Sequence, residues 1–224
     1  MLLNIGDQPI RSDNGIVTTV GWAYKGKPTY AFEGIINFTG ATIVWMRDQA
    51  HLIQNTQETQ ALAESVTDNG GVYLVPAFVG LSAPYWKPDA KGAIVGLTPS
   101  STKAHLVRAA LESIAYQVCD VLKLMADDAN VSLQSIQADG GAVTNRFLMQ
   151  FTADILGLEL RASQLPELSA LGAVFAGMLG RKVVASLQEL ETLPQHFNLY
   201  SPQMPREKVQ QYYAEWQSAV QRVL

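Results

Sequence analysis

Hydrophobic and polar positions along the chain change period several times, and each change marks an element. Ile16 to Val20 and Thr29 to Phe32 are rich in branched and aromatic side chains and flank Lys25-Gly26-Lys27-Pro28, so they predict a β-hairpin. Thr39 is placed to cap a helix carrying Ile43, Val44 and Met46, with Leu52 and Ile53 further along. Val72 to Val75 and Ala93 to Leu97 read as buried strands on either side of a proline-punctuated stretch from Pro76 to Pro88.

The middle of the chain carries the clearest period. After Ser100-Ser101-Thr102, apolar residues recur at three- and four-residue steps from Leu106 through Ile114 and Val121 to Met125, an amphipathic helix of about six turns. Val131 to Ala138 turns strand-like near its end. Asp139-Gly140-Gly141-Ala142 follows, then a helix whose apolar side is Phe147, Leu148, Phe151 and Ile155, ended by Gly157 and succeeded by a short strand at Leu158-Glu159-Leu160. Leu168 to Leu179 is uncharged. Its small residues (Ala170, Gly172, Ala173, Ala176 and Gly177) predict a helix packed closely on a neighbour. A final helix begins at Pro205 and sets Val209, Tyr212, Trp216, Val220 and Val223 on one side. Strands alternating with helices define an α/β protein in which helices cover a mixed sheet.

Composition narrows the function. With 224 residues, the chain is long enough for one large domain or two small ones. Only 16% of residues are charged, against about 25% in an average soluble domain. That shortage fits either a large interior or a surface that lies against something else. Sixteen basic and twenty acidic residues, with no basic cluster, leave no footprint for nucleic acid. The uncharged run Gly70 to Trp86 is too short and too interrupted by proline for a membrane span. A lone Cys119 excludes an internal disulfide framework. With no secretory signal at Met1-Leu2-Leu3-Asn4, it points to a cytoplasmic location.

Candidate chemistry is sparse. Glycines at the turn between the strand ending near Ala138 and the next helix remove the Cβ atoms that would hold a ligand away from the backbone. A nucleotide fits such a turn; so does a plain change of chain direction with Asp139 as a cap. Gly172 to Gly180 lacks the Lys-Ser/Thr of a P-loop, and no dinucleotide fingerprint is present. His51, His105 and His196 have no metal-ligand spacing with Cys119, and no metal site is expected. His105 reads as a structural histidine and Cys119 as a buried one. Glu33, Glu112 and Asp139 read as caps or surface groups.

Many short segments in one order resemble a known family. Leu2-Leu3-Asn4-Ile5-Gly6, Tyr30-Ala31-Phe32-Glu33-Gly34, Gly40-Ala41 and Trp45-Met46-Arg47-Asp48 come first. Asn69 to Tyr73, Ala83-Pro84-Tyr85-Trp86, Gly92 to Leu97, His105-Leu106 and Ala109 to Glu112 follow. Asp139 to Ala142, Asn145, Leu148 to Phe151 and Ala170 to Ala173 complete the series. Together they resemble the carboxy-terminal half of the FGGY carbohydrate kinases, its glycerol-phosphorylating members above all. The resemblance implies an actin-like ATPase, ribonuclease H-like lobe over residues 1–224, with the amino-terminal lobe absent. It implies that ATP or ADP is contacted from this side by Gly40, Val44, Gly141, Ala142 and Asn145.

In the full two-lobed kinase, the resemblance implies transfer of phosphate from ATP, with Mg2+, to glycerol or a similar polyol held by the other lobe. No catalytic residue is expected in this chain, because the family's catalytic aspartate and phosphate-binding hairpins precede Met1; the chain alone is expected to be inactive. Val44 stands where glutamine is usual, and Ser82, Lys87 and Lys91 also depart from the family's common residues. Alternatives are a non-catalytic nucleotide-binding or interaction module, or the lobe of a kinase for another polyol or sugar. A homo-oligomer is compatible with either.

Overall fold

The computed structural model describes residues 1–165 and 168–224. Strands β1 (Leu2–Gly6), β2 (Val17–Tyr24) and β3 (Lys27–Glu33) form an antiparallel sheet in the order β1-β3-β2. The expected hairpin is present and longer than its apolar runs. Its turn residues Lys25 and Gly26 both have positive φ, the conformation that suits the twist of two antiparallel strands. One face of this sheet sends Phe32, Leu3 and Ile5 against Val121 and Met125. The contact is close at Gly34, where an added Cβ would stand 2.3 Å from Val121 Cγ1, so only glycine fits.

Helix α1 (Gly40–Asp48) starts after Thr39 as expected, but the Thr39 side chain makes no capping hydrogen bond. The helix ends before Leu52 and Ile53, because the chain turns at His51 with φ of 52°. Helix α2 (Glu58–Glu64) follows, then the antiparallel pair β4 (Tyr73–Val75) and β5 (Ala93–Val95). Helix α3 (Lys103–Ala129) is the spine of the molecule and runs past its expected end to Asn130, whose left-handed conformation stops it. At its start, the Thr102 N–H donates to His105 Nδ1 (3.1 Å), the structural role expected of that histidine.

Strand β6 (Ser135–Ala138), a 3-10 turn at Gly141–Thr144, helix α4 (Arg146–Leu156) and strand β7 (Glu159–Ser163) form a parallel β-α-β unit. Helices α5 (Leu168–Gly180) and α6 (Leu187–Glu191) lead to β8 (Phe197–Tyr200), which pairs antiparallel with β7. Helix α7 (Arg206–Gln221) closes the chain. The mixed sheet expected from sequence is β6-β7-β8; the other strands form separate antiparallel sheets rather than extending it.

Helices α3, α4 and α7 share one core. Tyr116 stacks on Trp216 (5.2 Å between centroids) and meets Phe151 edge-on (5.5 Å). The tail helix buries Tyr212, Trp216 and Val220, the side read from its period. Helix α5 is the exception. It forms over the expected residues, but none of them is buried, and a Cβ added at Gly172 or Gly177 would meet nothing within 4 Å. Among the described residues, none lies against its small-residue face, so the close packing expected of this helix is absent. Among the described residues, no helix is long and apolar enough to cross a membrane.

Candidate nucleotide site

The strand-turn-helix after β6 is built by local geometry. Gly140 has φ of +87°, a conformation that side-chain-bearing residues rarely adopt, so this position needs glycine for the backbone alone. Gly141 has an ordinary φ, and a Cβ added there would point into open space. Packing therefore does not demand glycine at 141. The 3-10 turn ends at Asn145, whose side-chain oxygen accepts from Leu148 N–H (3.0 Å) and caps α4. Asp139, the alternative cap, does not do so. Asn145 Nδ2 donates to Thr59 Oγ1 (3.1 Å), and Arg146 N–H donates to Gln60 Oε1 (2.9 Å). Helix α2 is thereby tied to the turn across 86 residues of sequence.

These elements enclose an open cavity of about 870 Å³, within the range of about 300–1,000 Å³ usual for ligand pockets. Gly40, Val44, Gly141, Ala142 and Asn145, named from the family resemblance at positions up to 105 residues apart, all line it. Ile43, Leu111, Ile114 and Leu148 form its apolar floor, Gln60 and Asp139 belong to its polar rim, and the buried Thr59 also lines it. The floor suits a flat apolar ring; the glycine-edged rim lets a ligand approach the backbone. Among the described residues, Asp139 is the single charged one in the lining, which includes no lysine or arginine. Val44 is 41% exposed at the rim, where its branched side chain offers no hydrogen bond.

Thr59, Gln60, Leu111 and Ile114 were not among the residues singled out for binding. Helix periodicity marks the last two as core, and nothing local in the sequence announces that α2 leans on the turn. By contrast, a hollow under Tyr85, Asp120 and Gln117 encloses only about 20 Å³, room for about one water.

The carboxylates sort differently from expectation. Glu112 is neither a cap nor a surface group. It is fully buried, accepting from Arg108 Nε (2.8 Å) and Asn69 Nδ2 (3.0 Å), while Arg108 also donates to the carbonyls of Ala63 and Val66. Burial raises its carboxyl to about 7, against the lowering effect of Arg108. This pair pins α2 and the Asn69 loop to α3 behind the cavity. Asp120, also buried, accepts from Tyr85 Oη (2.8 Å), Trp216 Nε1 (2.9 Å) and Tyr213 Oη (2.5 Å). Burial raises the Cys119 thiol to about 11, so it stays protonated and inert, as its apolar position suggested. Among the described residues, no group of three His, Cys, Asp or Glu is placed to hold a metal ion.

A β-α-β unit with an open apolar cavity at its glycine turn, set on a mixed sheet, has the architecture of an actin-like kinase lobe. Residues 1–180 match the C-terminal domain of the FGGY family of carbohydrate kinases, and the chain belongs to that family. It is 46% identical over 222 residues to a glycerol kinase of Petrotoga mobilis and 45% identical over 224 residues to one of Desulfitobacterium hafniense. These alignments cover 99% and 100% of this chain but 45% of each relative, so the chain spans about half their length. The crystal structure of Plasmodium falciparum glycerol kinase with ADP superposes with a TM-score of 0.92 at 32% identity, over 100% of this chain and 45% of that one.

Proposed function

We propose that this chain is the adenosine-binding, carboxy-terminal lobe of a cytoplasmic glycerol kinase. The observation that carries the reading is the convergence of Gly40, Val44, Gly141, Ala142 and Asn145 on one cavity of nucleotide size. The ADP in the Plasmodium falciparum relative supports the ligand class, and the names of the two bacterial relatives support glycerol as the phosphate acceptor.

The chemistry of the pocket divides the labour. Its apolar floor takes the adenine ring out of water, and the open faces of Gly141 and Gly40 admit the ribose and the first phosphates beside the backbone. Asn145, its amide already engaged by Leu148 and Thr59, holds the turn in shape. The lining lacks the positive charge that phosphoryl transfer needs around the γ-phosphate. Its one carboxylate among the described residues, Asp139, is of the kind that would meet a Mg2+ carried in on the phosphates, since that ion usually takes one or two carboxylates together with them. In this proposal, the other lobe supplies the charge and the carboxylate that deprotonates the polyol. This lobe supplies positioning, a term that reaches several kcal/mol when both reactants are held in line. The chain by itself binds nucleotide and transfers no phosphate.

Isothermal titration of the chain with ATP and ADP tests this. Both nucleotides are expected to bind at one site. Gly141→Trp fills the cavity without a backbone penalty and is expected to weaken binding at least a hundredfold. No binding at millimolar nucleotide, or unchanged binding by the variant, contradicts the reading, as does steady conversion of ATP and glycerol by the chain alone.

A further inference from the structure

We infer that Gln60 reads the base of the nucleotide, donating a side-chain N–H to a ring nitrogen of the purine held on the cavity floor. The inference rests on the lobe reading above and adds the residue that orients the base.

Most polar side chains around the cavity are already engaged within the protein. Thr59 Oγ1 accepts from Asn145 Nδ2 (3.1 Å) and donates to the Thr56 carbonyl (2.7 Å). Thr144 Oγ1 donates to the Gly141 carbonyl (3.0 Å). Asn145 caps α4 with its oxygen and holds Thr59 with its nitrogen. Gln57 is exposed, and its oxygen accepts from Thr56 Oγ1 only at 3.4 Å, a contact too long to fix the side chain. Val44 has no polar side-chain atom to offer.

Gln60 differs from all of these. It is half-buried on α2 and lines the cavity. Its Oε1 accepts from the Arg146 N–H (2.9 Å). A backbone N–H can only donate, so this bond decides which end of the amide is oxygen and leaves the other end as the NH2 group. Among the described residues, that Nε2 makes no hydrogen bond. An amide anchored at one end is preorganised, and less side-chain freedom is lost when a ligand meets the other end.

The place of the amide says which part of the ligand it meets. Arg146 is the first residue of α4, and Leu148, two residues further on, belongs to the apolar floor. The anchored amide therefore stands where α2 meets that floor, while the sugar and phosphates approach the bare backbone at Gly40 and Gly141. A flat ring on the floor turns its edge toward Gln60. A purine edge carries ring nitrogens that accept an N–H, and a donor fixed beside the floor suits one of them.

The test is isothermal titration of the chain with ADP and with 1-deaza-, 3-deaza- and 7-deaza-ADP, each lacking one ring nitrogen. Wild type is compared with Gln60→Glu, which keeps an oxygen for the Arg146 N–H but removes the NH2 donor, so thermal melting should be unchanged. One analogue is expected to bind wild type about two- to tenfold more weakly than ADP, the loss that goes with one hydrogen bond. Gln60→Glu should weaken ADP binding at least as much and bind that analogue as well as it binds ADP. The added charge acts on all four ligands alike, so the difference between ligands within one protein isolates the bond. Gln60→Met, which is neutral and lacks both ends of the amide, should lose the same discrimination and melt at a lower temperature. The inference is overturned if wild type binds all three analogues like ADP. It is equally overturned if Gln60→Glu keeps the wild-type discrimination, the result expected of a residue that only ties α2 to the turn. ADP binding without discrimination removes this inference alone, whereas no ADP binding at millimolar concentration removes the lobe reading with it.

Discussion

Helices α3 and α5 invert the usual relation between composition and burial. Helix α3 buries Arg108, Glu112 and Asp120 among its apolar residues, while the uncharged α5 buries nothing. The difference lies in their neighbours. Around α3, the Ala63 and Val66 carbonyls, Asn69, Tyr85, Tyr213 and Trp216 join the Arg108–Glu112 pair in satisfying each buried charge, and α2, α4 and α7 pack on its remaining faces. Burying a charge is tolerable only with such partners, and apolar surface stays exposed when the chain offers none. One helix is complete within this polypeptide; the other has the composition of an interior without the interior.

That contrast predicts large effects on α3 and small ones on α5. Asp120→Ala leaves the Tyr85 and Tyr213 hydroxyls and the Trp216 N–H without their acceptor. At about 1–3 kcal/mol for each buried unsatisfied group, it should lower unfolding stability by at least about 3 kcal/mol in urea denaturation. Glu112 gives a pH signature. Its carboxyl ordinarily titrates at 4.5 and is raised to about 7 by burial, so the folded protein holds the proton more tightly than the unfolded chain. Its contribution is fully present below pH 4.5 and is lost as pH rises through about 7. Comparing wild type with Glu112→Gln across that window should isolate a decline on the order of 1–3 kcal/mol. Asp120 is raised in the same direction and remains in both proteins. Smallest is Val174→Lys on α5, which should shift the melting free energy of the lone chain by less than about 0.5 kcal/mol. A large loss there would mean that α5 is packed after all.

Much of the fold could be read from residue patterns, because it rests on local periods. The hairpin, the long helix, the glycine stop at Gly157 and the tail helix all stand where apolar spacing and turn chemistry put them. Helix α6 and strand β8 had no such signal. Phe197 to Tyr200 is too short to show a period, and its pairing with β7 is set by tertiary contact. The binding residues named from the family order met at one cavity, yet spacing alone left the glycine turn open between a ligand site and a bend. Its partners Thr59 and Gln60 are brought in by a helix far away in sequence. Nor could composition distinguish a buried apolar helix from an uncovered one at Leu168–Gly180, since that depends on what lies across from it.

The central claim is that the turn after β6 and the start of α1 grip one adenosine between them. Amide NMR shifts during ADP titration test this most directly. The account predicts saturable shifts at Gly40, Val44, Gly141, Ala142 and Asn145 with a single dissociation constant, and little change along β1-β3-β2. Saturable shifts confined to another part of the molecule, with those five amides unmoved, would contradict it.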